Sequence, residues 1–139
     1  MGYAVNTMAV QYQRDEHRVH FIVYQLIFCP KRRKSVLVGG IEKECERLIT
    51  LKCEQNGWET LKLTIQPDHV HLVVRVFPTN AAAAVVKEIK AFTSHELRLK
   101  YPDLKRRLPS LWTRSYFAST AKAITQDTIK DYIHAQKGA

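Results

Sequence analysis

Residues 66–76 read QPDHVHLVVRV, and this short stretch predicts both a fold and a site. Successive side chains of a β-strand point to opposite faces of a sheet, so His69 and His71 share one face. The other face is apolar and holds Val70, Leu72, Val74 and Val76. We therefore expect a strand with one side in the core and one side that offers two nitrogen ligands to a single metal ion.

The segments before this strand alternate between strand and helix patterns. Residues 19–29, VHFIVYQLIFC, are rich in β-branched and aromatic residues and predict a central strand. Residues 41–56 carry apolar residues at helical spacing and predict a first helix that ends at Gly57 and starts after the break at Gly39-Gly40. Residues 60–65 alternate apolar with polar residues and predict the hairpin partner of the histidine strand, joined to it by a tight turn at residues 66–68.

The segment after the histidine strand is rich in alanine and predicts a second helix, which runs from an N-cap at Thr79 to about Tyr101. Its buried stripe is expected to contain Val85, Ile89, Phe92 and Leu99. Its opposite face is expected to form a basic ridge of Lys87, Lys90, Ser94 and Arg98.

The last third of the chain predicts a loop, a strand and a helix. Residues 102–109 contain two prolines and three consecutive basic residues, which favour a loop. Residues 112–121, WTRSYFASTA, have the aromatic and threonine content of a strand. A final helix is expected from an N-cap at Thr125 to Gly138, with Tyr132 and Gln136 one turn apart on the same face.

The predicted order is β-α-β-β-α-β followed by one more helix. This order indicates an α+β fold of the ferredoxin-like or RRM-like type, with an antiparallel sheet and two helices on one of its faces. His69 and His71 would then lie on the open face, with the C-terminal helix as its cover. Residues 1–18 show little periodicity and predict a flexible N-terminal arm, so residues 19–139 are expected to form a single domain.

The charge of the chain favours a polyanionic partner. It has 22 Lys and Arg residues against 13 Asp and Glu residues, a net charge of +9 and a pI near 9.6, and nucleic acid is the leading candidate. No apolar run is long enough for a bilayer and no secretory signal is visible, so we expect a cytoplasmic protein with no membrane partner. Cys29, Cys45 and Cys53 have no CxxC spacing and are expected in the core.

The candidate site combines the two histidines with the final helix. Two imidazoles, the amide oxygen of Gln136 and waters make a mixed site that suits Mg²⁺ or Mn²⁺, although the spacing also allows a catalytic zinc. Such a metal would polarise a phosphate oxygen, and the hydroxyl of Tyr132 could attack the phosphorus to form a phosphotyrosine linkage. The chain has no Walker-type glycine loop, which indicates a reaction without a nucleotide cofactor.

Four stretches in order resemble the small single-tyrosine HUH transposases of IS200/IS605-like insertion sequences, which move as single-stranded DNA. They are YQLIFCPKRRKSVL, PDHVHLVV, LPSLWTRSYFAST and IKDYIHAQ, and the resemblance covers residues 24–137. It implies that His69 and His71 are metal ligands, that Tyr132 is the nucleophile carried by the last helix and that Gln136 completes the metal shell. The chain departs from the family pattern at Gln66, Ala91 and Lys122.

The resemblance also implies partners and a reaction. Members of this family are homodimers that recognise imperfect hairpins at the element ends, and they cleave and rejoin single-stranded DNA through a 5′-phosphotyrosine intermediate. Basic side chains expected to contact DNA are Lys31, Arg32, Arg33, Lys34, Lys87, Lys90, Arg98 and Arg114. Trp112, Tyr116 and Phe117 are candidates either for stacking on bases or for packing in the core.

Two other functions remain open at this point. The first is a non-catalytic module of RRM-like fold that binds single-stranded nucleic acid without a divalent metal, although the glycine and aromatic run typical of such modules is missing. The second is a zinc hydrolase that uses a metal-bound water, for which Tyr132 would be dispensable. The histidines themselves could also be no more than exposed polar residues of a strand.

Overall fold

The computed structural model describes residues 21–120 and residues 133–134. The predicted arm at residues 1–18, the predicted N-cap Thr125, and Tyr132 and Gln136 therefore lie outside the described residues. The elements, in chain order, are β1 (Ile22–Phe28), a 3₁₀ turn (Lys31–Arg33), α1 (Gly39–Gln55), β2 (Glu59–Gln66), β3 (His69–Val76), α2 (Ala82–Lys100), α3 (Pro102–Arg107) and β4 (Phe117–Thr120).

The four strands form one antiparallel sheet in the order β2-β3-β1-β4. The histidine strand β3 is therefore hydrogen-bonded on both sides, to β1 and to its hairpin partner β2. The predicted α+β class and the alternation of strands and helices are confirmed. The fourth strand is shorter than expected, because Trp112 forms only an isolated bridge with Pro30 and regular pairing with β1 starts at Phe117.

The core lies between the sheet and helices α1 and α2. The side chains of β3 alternate between half-buried and buried, with Val70, Leu72 and Val74 fully buried, as the period of two predicts. Helix α1 contributes Cys45, Leu48, Ile49 and Cys53, and helix α2 contributes Val85, Val86, Ile89, Thr93 and Leu97. Apolar side chains from all these elements form one contiguous cluster.

The prediction for α2 was wrong at two positions. Leu99 was placed on the buried stripe but is 68% exposed, because the buried positions follow a spacing of four residues that leads to Leu97. Thr79 was expected to cap the helix, but α2 begins at Ala82 and no side chain caps its first turn. Asn80 instead ties the preceding turn, since its Oδ1 accepts hydrogen bonds from the Phe77 amide at 3.0 Å and the Trp58 indole at 3.2 Å.

Helix α1 ends at Gly57 in the way the sequence predicts. Gly57 has a φ of +76°, and its amide donates to the Glu54 carbonyl at 3.1 Å. The amide of Trp58 donates to the Cys53 carbonyl at 2.8 Å, which completes a Schellman motif. The start of α1 differs from the prediction, because Gly39 and Gly40 form its first turn and do not break the chain before it.

Two further local features differ from the sequence-based expectation. A bulge in β2 leaves Leu61 out of register with β3, so its side chain is 44% exposed and does not continue the buried face of Leu63 and Ile65. The expected loop at residues 102–109 contains the helix α3, which starts with Pro102 at a position where a proline needs no amide partner.

The three cysteines are core residues, as expected. Cys29, Cys45 and Cys53 are free thiols with no exposed surface. Burial raises the pKa of Cys29 and Cys45 to about 12 and the pKa of Cys53 to about 11. Among the described residues, no helix has the length and the apolar character needed to cross a lipid bilayer.

Candidate active site

The two histidines lie on the same face of β3, opposite its buried valines. Both are half-buried, and the register pairs His71 with Ile27 of β1 and Thr64 of β2. The prediction that one strand separates a core face from a histidine face is confirmed. Because β3 is an inner strand, its neighbours on both sides can supply groups that hold the imidazole rings.

His69 is oriented by the residue that precedes it. Its Nδ1 lies 2.9 Å from Oδ1 of Asp68, and the carboxylate is a hydrogen-bond acceptor. Nδ1 therefore carries the proton, and the lone pair of the neutral ring is at Nε2. A carboxylate that holds one nitrogen of a histidine while the other is left for a cation is a common arrangement around metal ligands.

His71 is oriented from the neighbouring strand. Its Nε2 lies 3.0 Å from Oε1 of Gln25, which is 8% exposed on β1. Because an amide oxygen only accepts hydrogen bonds, Nε2 carries the proton and the lone pair is at Nδ1. The pKa of His71 is lowered from its ordinary value, first by burial and then by the positive charges of Lys62 and His69. Both effects favour the neutral imidazole, which is the form that binds a metal ion.

Of the predicted metal ligands, His69 and His71 lie among the described residues, and their role as ligands stays a prediction. No group of three or more His, Cys, Asp and Glu side chains among them is arranged to hold a metal ion. Two imidazoles, each held at one nitrogen by a described residue, fit part of a site for a divalent cation with further positions for oxygen ligands. The expected third ligand Gln136 and the expected nucleophile Tyr132 lie outside the described residues, so both assignments stay predictions.

Arg33 was expected to contact DNA and lies instead beside the histidine strand. Its Nε is 3.0 Å from Oδ2 of Asp68, and its Nη1 donates to the backbone carbonyl of Ile133 at 3.0 Å. Sequence reasoning missed the roles of Asp68 and Gln25. A signal existed for both, because Asp68 directly precedes His69 and Gln25 interrupts an otherwise apolar strand.

Most of the other basic residues predicted to contact DNA are exposed. Arg32, Lys34, Lys87 and Arg114 are exposed, while Lys31 and Arg98 are half-buried. The predicted exposed ridge on α2 is wrong for Lys90, whose Nζ donates to the carbonyls of Thr113 at 2.8 Å and Ser115 at 2.9 Å. Burial lowers the pKa of Lys90 to about 8. Lys90 therefore holds the loop before β4 in place.

The three aromatic candidates for base stacking differ in position. Trp112 belongs to the core, since it is 6% exposed, donates from Nε1 to Thr93 Oγ1 at 2.9 Å and packs edge-on against Phe28. Tyr116 is half-buried, with Nζ of Lys90 at 5.7 Å from its ring centroid. Phe117 is also half-buried and pairs with Ile27, the residue that pairs with His71, so it shares the histidine face.

Comparisons with known proteins identify related sequences over nearly the whole chain. The profile of the family described as "Transposase IS200 like" matches residues 18–136. The ISDra2 transposase TnpA of Deinococcus radiodurans is 31% identical over 131 residues, which cover 93% of this chain and 94% of that protein. The transposase for insertion sequence element IS200 of Salmonella typhimurium is 26% identical over 115 residues, or 81% of this chain and 75% of that protein.

Solved structures show the same fold. A crystallised Deinococcus radiodurans protein assigned as a transposase superposes with a TM-score of 0.83 at 28% identity, covering 92% of this chain and 100% of its own. A REP-associated tyrosine transposase bound to a REP hairpin superposes with a TM-score of 0.56 at 12% identity, covering 90% of this chain and 68% of its own.

Proposed function

Because this chain belongs to the IS200-like family of transposases, we propose that it cleaves and rejoins single-stranded DNA at the ends of an insertion sequence. In this proposal Tyr132 is the nucleophile, and His69, His71 and Gln136 hold a divalent metal, Mg²⁺ or Mn²⁺. The observation that supports it best is the pair of imidazoles on one face of β3, each held at one nitrogen by Asp68 or Gln25.

The proposed reaction exchanges one phosphate ester for another. The phenolic oxygen of Tyr132 forms a bond to phosphorus while the bond from phosphorus to the 3′ oxygen of the upstream strand breaks. The phenolic proton is passed on, and the released 3′ oxygen leaves as a hydroxyl. A divalent cation, when bound, polarises a phosphate oxygen. The 5′-phosphotyrosine linkage is still a phosphodiester. The 3′-hydroxyl of another strand can therefore attack it and reverse the step without ATP.

The chain's own residues would prepare this site before DNA arrives. Asp68 and Gln25 would fix the histidine tautomers, and burial lowers the pKa of His71, which favours its neutral ring. Phe117 offers an aromatic surface on the same face as His71, on the far side of Ile27, on which a base could stack. The net charge of +9 favours DNA over a neutral substrate.

The proposed partner is single-stranded DNA that forms imperfect hairpins at the element ends, and the proposed assembly is a homodimer that acts in the cytoplasm. The positive charge of the exposed side chains Arg32, Lys34, Lys87 and Arg114 supports contacts with phosphates. A structural relative of the same fold is described as bound to a REP hairpin.

The proposed function is tested by the detection of a covalent adduct between the protein and DNA. A 3′-labelled oligonucleotide that spans an element end is incubated with the protein and Mg²⁺, and the products are separated under denaturing conditions. We expect a labelled protein band with the wild type and none with Tyr132→Phe. Tyr101→Phe is the matched control, because Tyr101 lies at the end of α2 beside Gly40 of α1, and it should form the adduct normally. An adduct in Tyr132→Phe would overturn the assignment of the nucleophile.

The second candidate function is a non-catalytic nucleic-acid-binding module of RRM-like fold. The position of Phe117 on the histidine face of the sheet favours it, because such modules stack bases on aromatic residues of the sheet. The two functions differ in their need for metal. Binding that is unchanged by a chelator, together with the absence of any cleavage or adduct, would favour the binding module over the transposase reaction.

A further inference from the structure

One arginine side chain connects three parts of the molecule that the sequence separates widely. Arg33 lies in the turn after β1, Asp68 lies directly before the histidine strand, and Ile133 follows Tyr132 in the chain. Nε of Arg33 is 3.0 Å from Asp68 Oδ2, and Nη1 donates to the carbonyl of Ile133 at 3.0 Å. The second oxygen of Asp68, Oδ1, accepts from Nδ1 of His69 at 2.9 Å.

This group of contacts is shielded from solvent. The side chains of Arg33, His69 and Asp68 are 16%, 18% and 24% exposed. Charge-assisted hydrogen bonds are stronger in such partly buried places than at the surface, because water competes less and the local dielectric is lower. The Asp68 carboxylate therefore has two fixed donors, one on each oxygen.

The backbone around Arg33 has an uncommon conformation that supports this geometry. Arg32 and Arg33 have φ values of 56° and 52°, in the left-handed region that residues other than glycine rarely adopt. The turn is held by the amide of Lys31, which donates to the Leu111 carbonyl at 2.8 Å, and by the amide of Arg33, which donates to the Pro30 carbonyl at 2.7 Å. It leaves Arg32 exposed and brings Arg33 to Asp68.

We propose that Arg33 is a positioning residue that fixes the proton of His69 at Nδ1 through Asp68, and that joins this histidine to the backbone next to Tyr132. This inference rests on the proposed function, in which Nε2 of His69 binds the metal. Its geometry is independent of DNA and metal, so it can be tested without either.

The test uses the difference between a carboxylate and an amide at position 68. A carboxylate accepts from Arg33 and His69 at once, whereas an amide has one accepting oxygen and one donating NH₂ group. In Asp68→Asn the cationic Arg33 is expected to attract the amide oxygen, so the NH₂ group faces Nδ1 of His69. The His69 proton is then expected to move to Nε2, the nitrogen that the metal would need.

The tautomer of each histidine can be read from ring ¹⁵N chemical shifts of the metal-free protein at pH 8, where unperturbed imidazoles are neutral. We expect a proton on Nδ1 of His69 in the wild type and on Nε2 in Asp68→Asn. Adding Arg33→Met should release the amide, turn its oxygen to His69 and restore the Nδ1 proton. Asp68→Asn combined with Arg32→Met is the matched control, since Arg32 has the same backbone conformation but is exposed, and it should stay in the Nε2 form.

Three results would overturn the proposal: an Nδ1 proton retained in Asp68→Asn, an Nε2 proton retained after Arg33→Met is added, or equal rescue by Arg32→Met. A structural role alone would give none of the expected tautomer changes, and amide spectra of each variant report whether it is folded. Mn²⁺ binding measured in parallel should weaken about 10-fold or more in Asp68→Asn. If the wild type never forms a DNA adduct, the proposed function fails while the tautomer result still decides the role of Arg33.

Discussion

Lys90 shows how one partly buried cation organises a loop. Its Nζ donates to two backbone carbonyls in the segment before β4 and lies near the rings of Phe28 and Tyr116. The carbonyls of an irregular segment need partners when they are withdrawn from water, and the ammonium group supplies them. The position of Phe117 on the histidine face therefore depends on a residue of the opposite layer.

We expect Lys90→Met to change the pH dependence of stability. Burial lowers the pKa of Lys90 from 10.5 to about 8 in the folded protein, while a lysine of the unfolded chain keeps its ordinary value. Between about pH 8 and about pH 10 the unfolded state therefore binds more protons at this residue, and the contribution of Lys90 to the free energy of unfolding rises with pH. The three buried cysteines act in the opposite direction, because burial raises their pKa values to about 11 to 12 in the folded protein. When urea unfolding is compared at pH 7.5 and pH 9.5, the change in the free energy of unfolding should therefore be more negative for Lys90→Met than for the wild type.

The control for this measurement is Lys87→Met, one turn earlier on α2 with an exposed side chain. It should keep the wild-type dependence on pH, because the Lys87 ammonium group is exposed to water in the folded protein as it is in the unfolded chain. Equal pH dependence in the wild type and Lys90→Met would show that Lys90 is charged in the folded protein throughout this range.

At the scale of single elements, the end of α1 depends on one glycine. Gly57 has a φ of +76°, and a Cβ at this position would meet Phe77 only at an ordinary contact distance of 3.5 Å. The cost of Gly57→Ala should therefore come from the left-handed backbone, about 1 kcal/mol in the free energy of unfolding. Gly57→Asn should cost less, because asparagine tolerates this conformation better than alanine. A larger loss for Asn than for Ala in urea unfolding would contradict this account.

The elements differ in how far the sequence predicts them, for a physical reason. The strands β1 and β3 and the end of α1 follow from local periodicity and from a glycine that a Schellman motif requires. The bulge at Leu61, the helix α3 and the late start of β4 do not. They depend on contacts between distant segments, such as the pairing of Pro30 with Trp112 and the burial of Trp112 against Thr93.

The candidate site also has parts that the sequence predicts and parts that it does not. His69 and His71 could be predicted to share a face, because side chains on a strand alternate with a period of two. Two contacts could not be predicted: the hydrogen bond between Gln25 and His71 depends on strand pairing, and the ion pair between Arg33 and Asp68 depends on the turn after β1. The roles of Tyr132 and Gln136 come from the resemblance to a family, and they remain predictions.

At the scale of the whole molecule, the net charge of +9 should make DNA binding depend strongly on salt. For single strands, the slope of log K against log salt concentration is about 0.7 per phosphate that a basic side chain neutralises. We expect Arg114→Gln to lower the slope by about 0.7, because Arg114 is exposed in the segment that leads to Phe117. Fluorescence anisotropy with a labelled single strand at several salt concentrations measures it.

The matched variant is Lys43→Gln, which removes an equal charge from the exposed surface of α1. It should leave the slope close to that of the wild type, because Lys43 is not among the basic residues proposed to contact DNA. Equal slopes for Arg114→Gln and the wild type would place Arg114 outside the DNA contact.

The three buried cysteines make this chain convenient for chemical labelling. With pKa values of about 11 to 12, the thiols of Cys29, Cys45 and Cys53 contain well under about 0.1% thiolate at neutral pH. Maleimides and mild oxidants react with accessible thiolates, so the folded protein presents none of its own to them. A single cysteine introduced on the exposed surface can therefore carry a fluorophore or a spin label while the native cysteines stay in place.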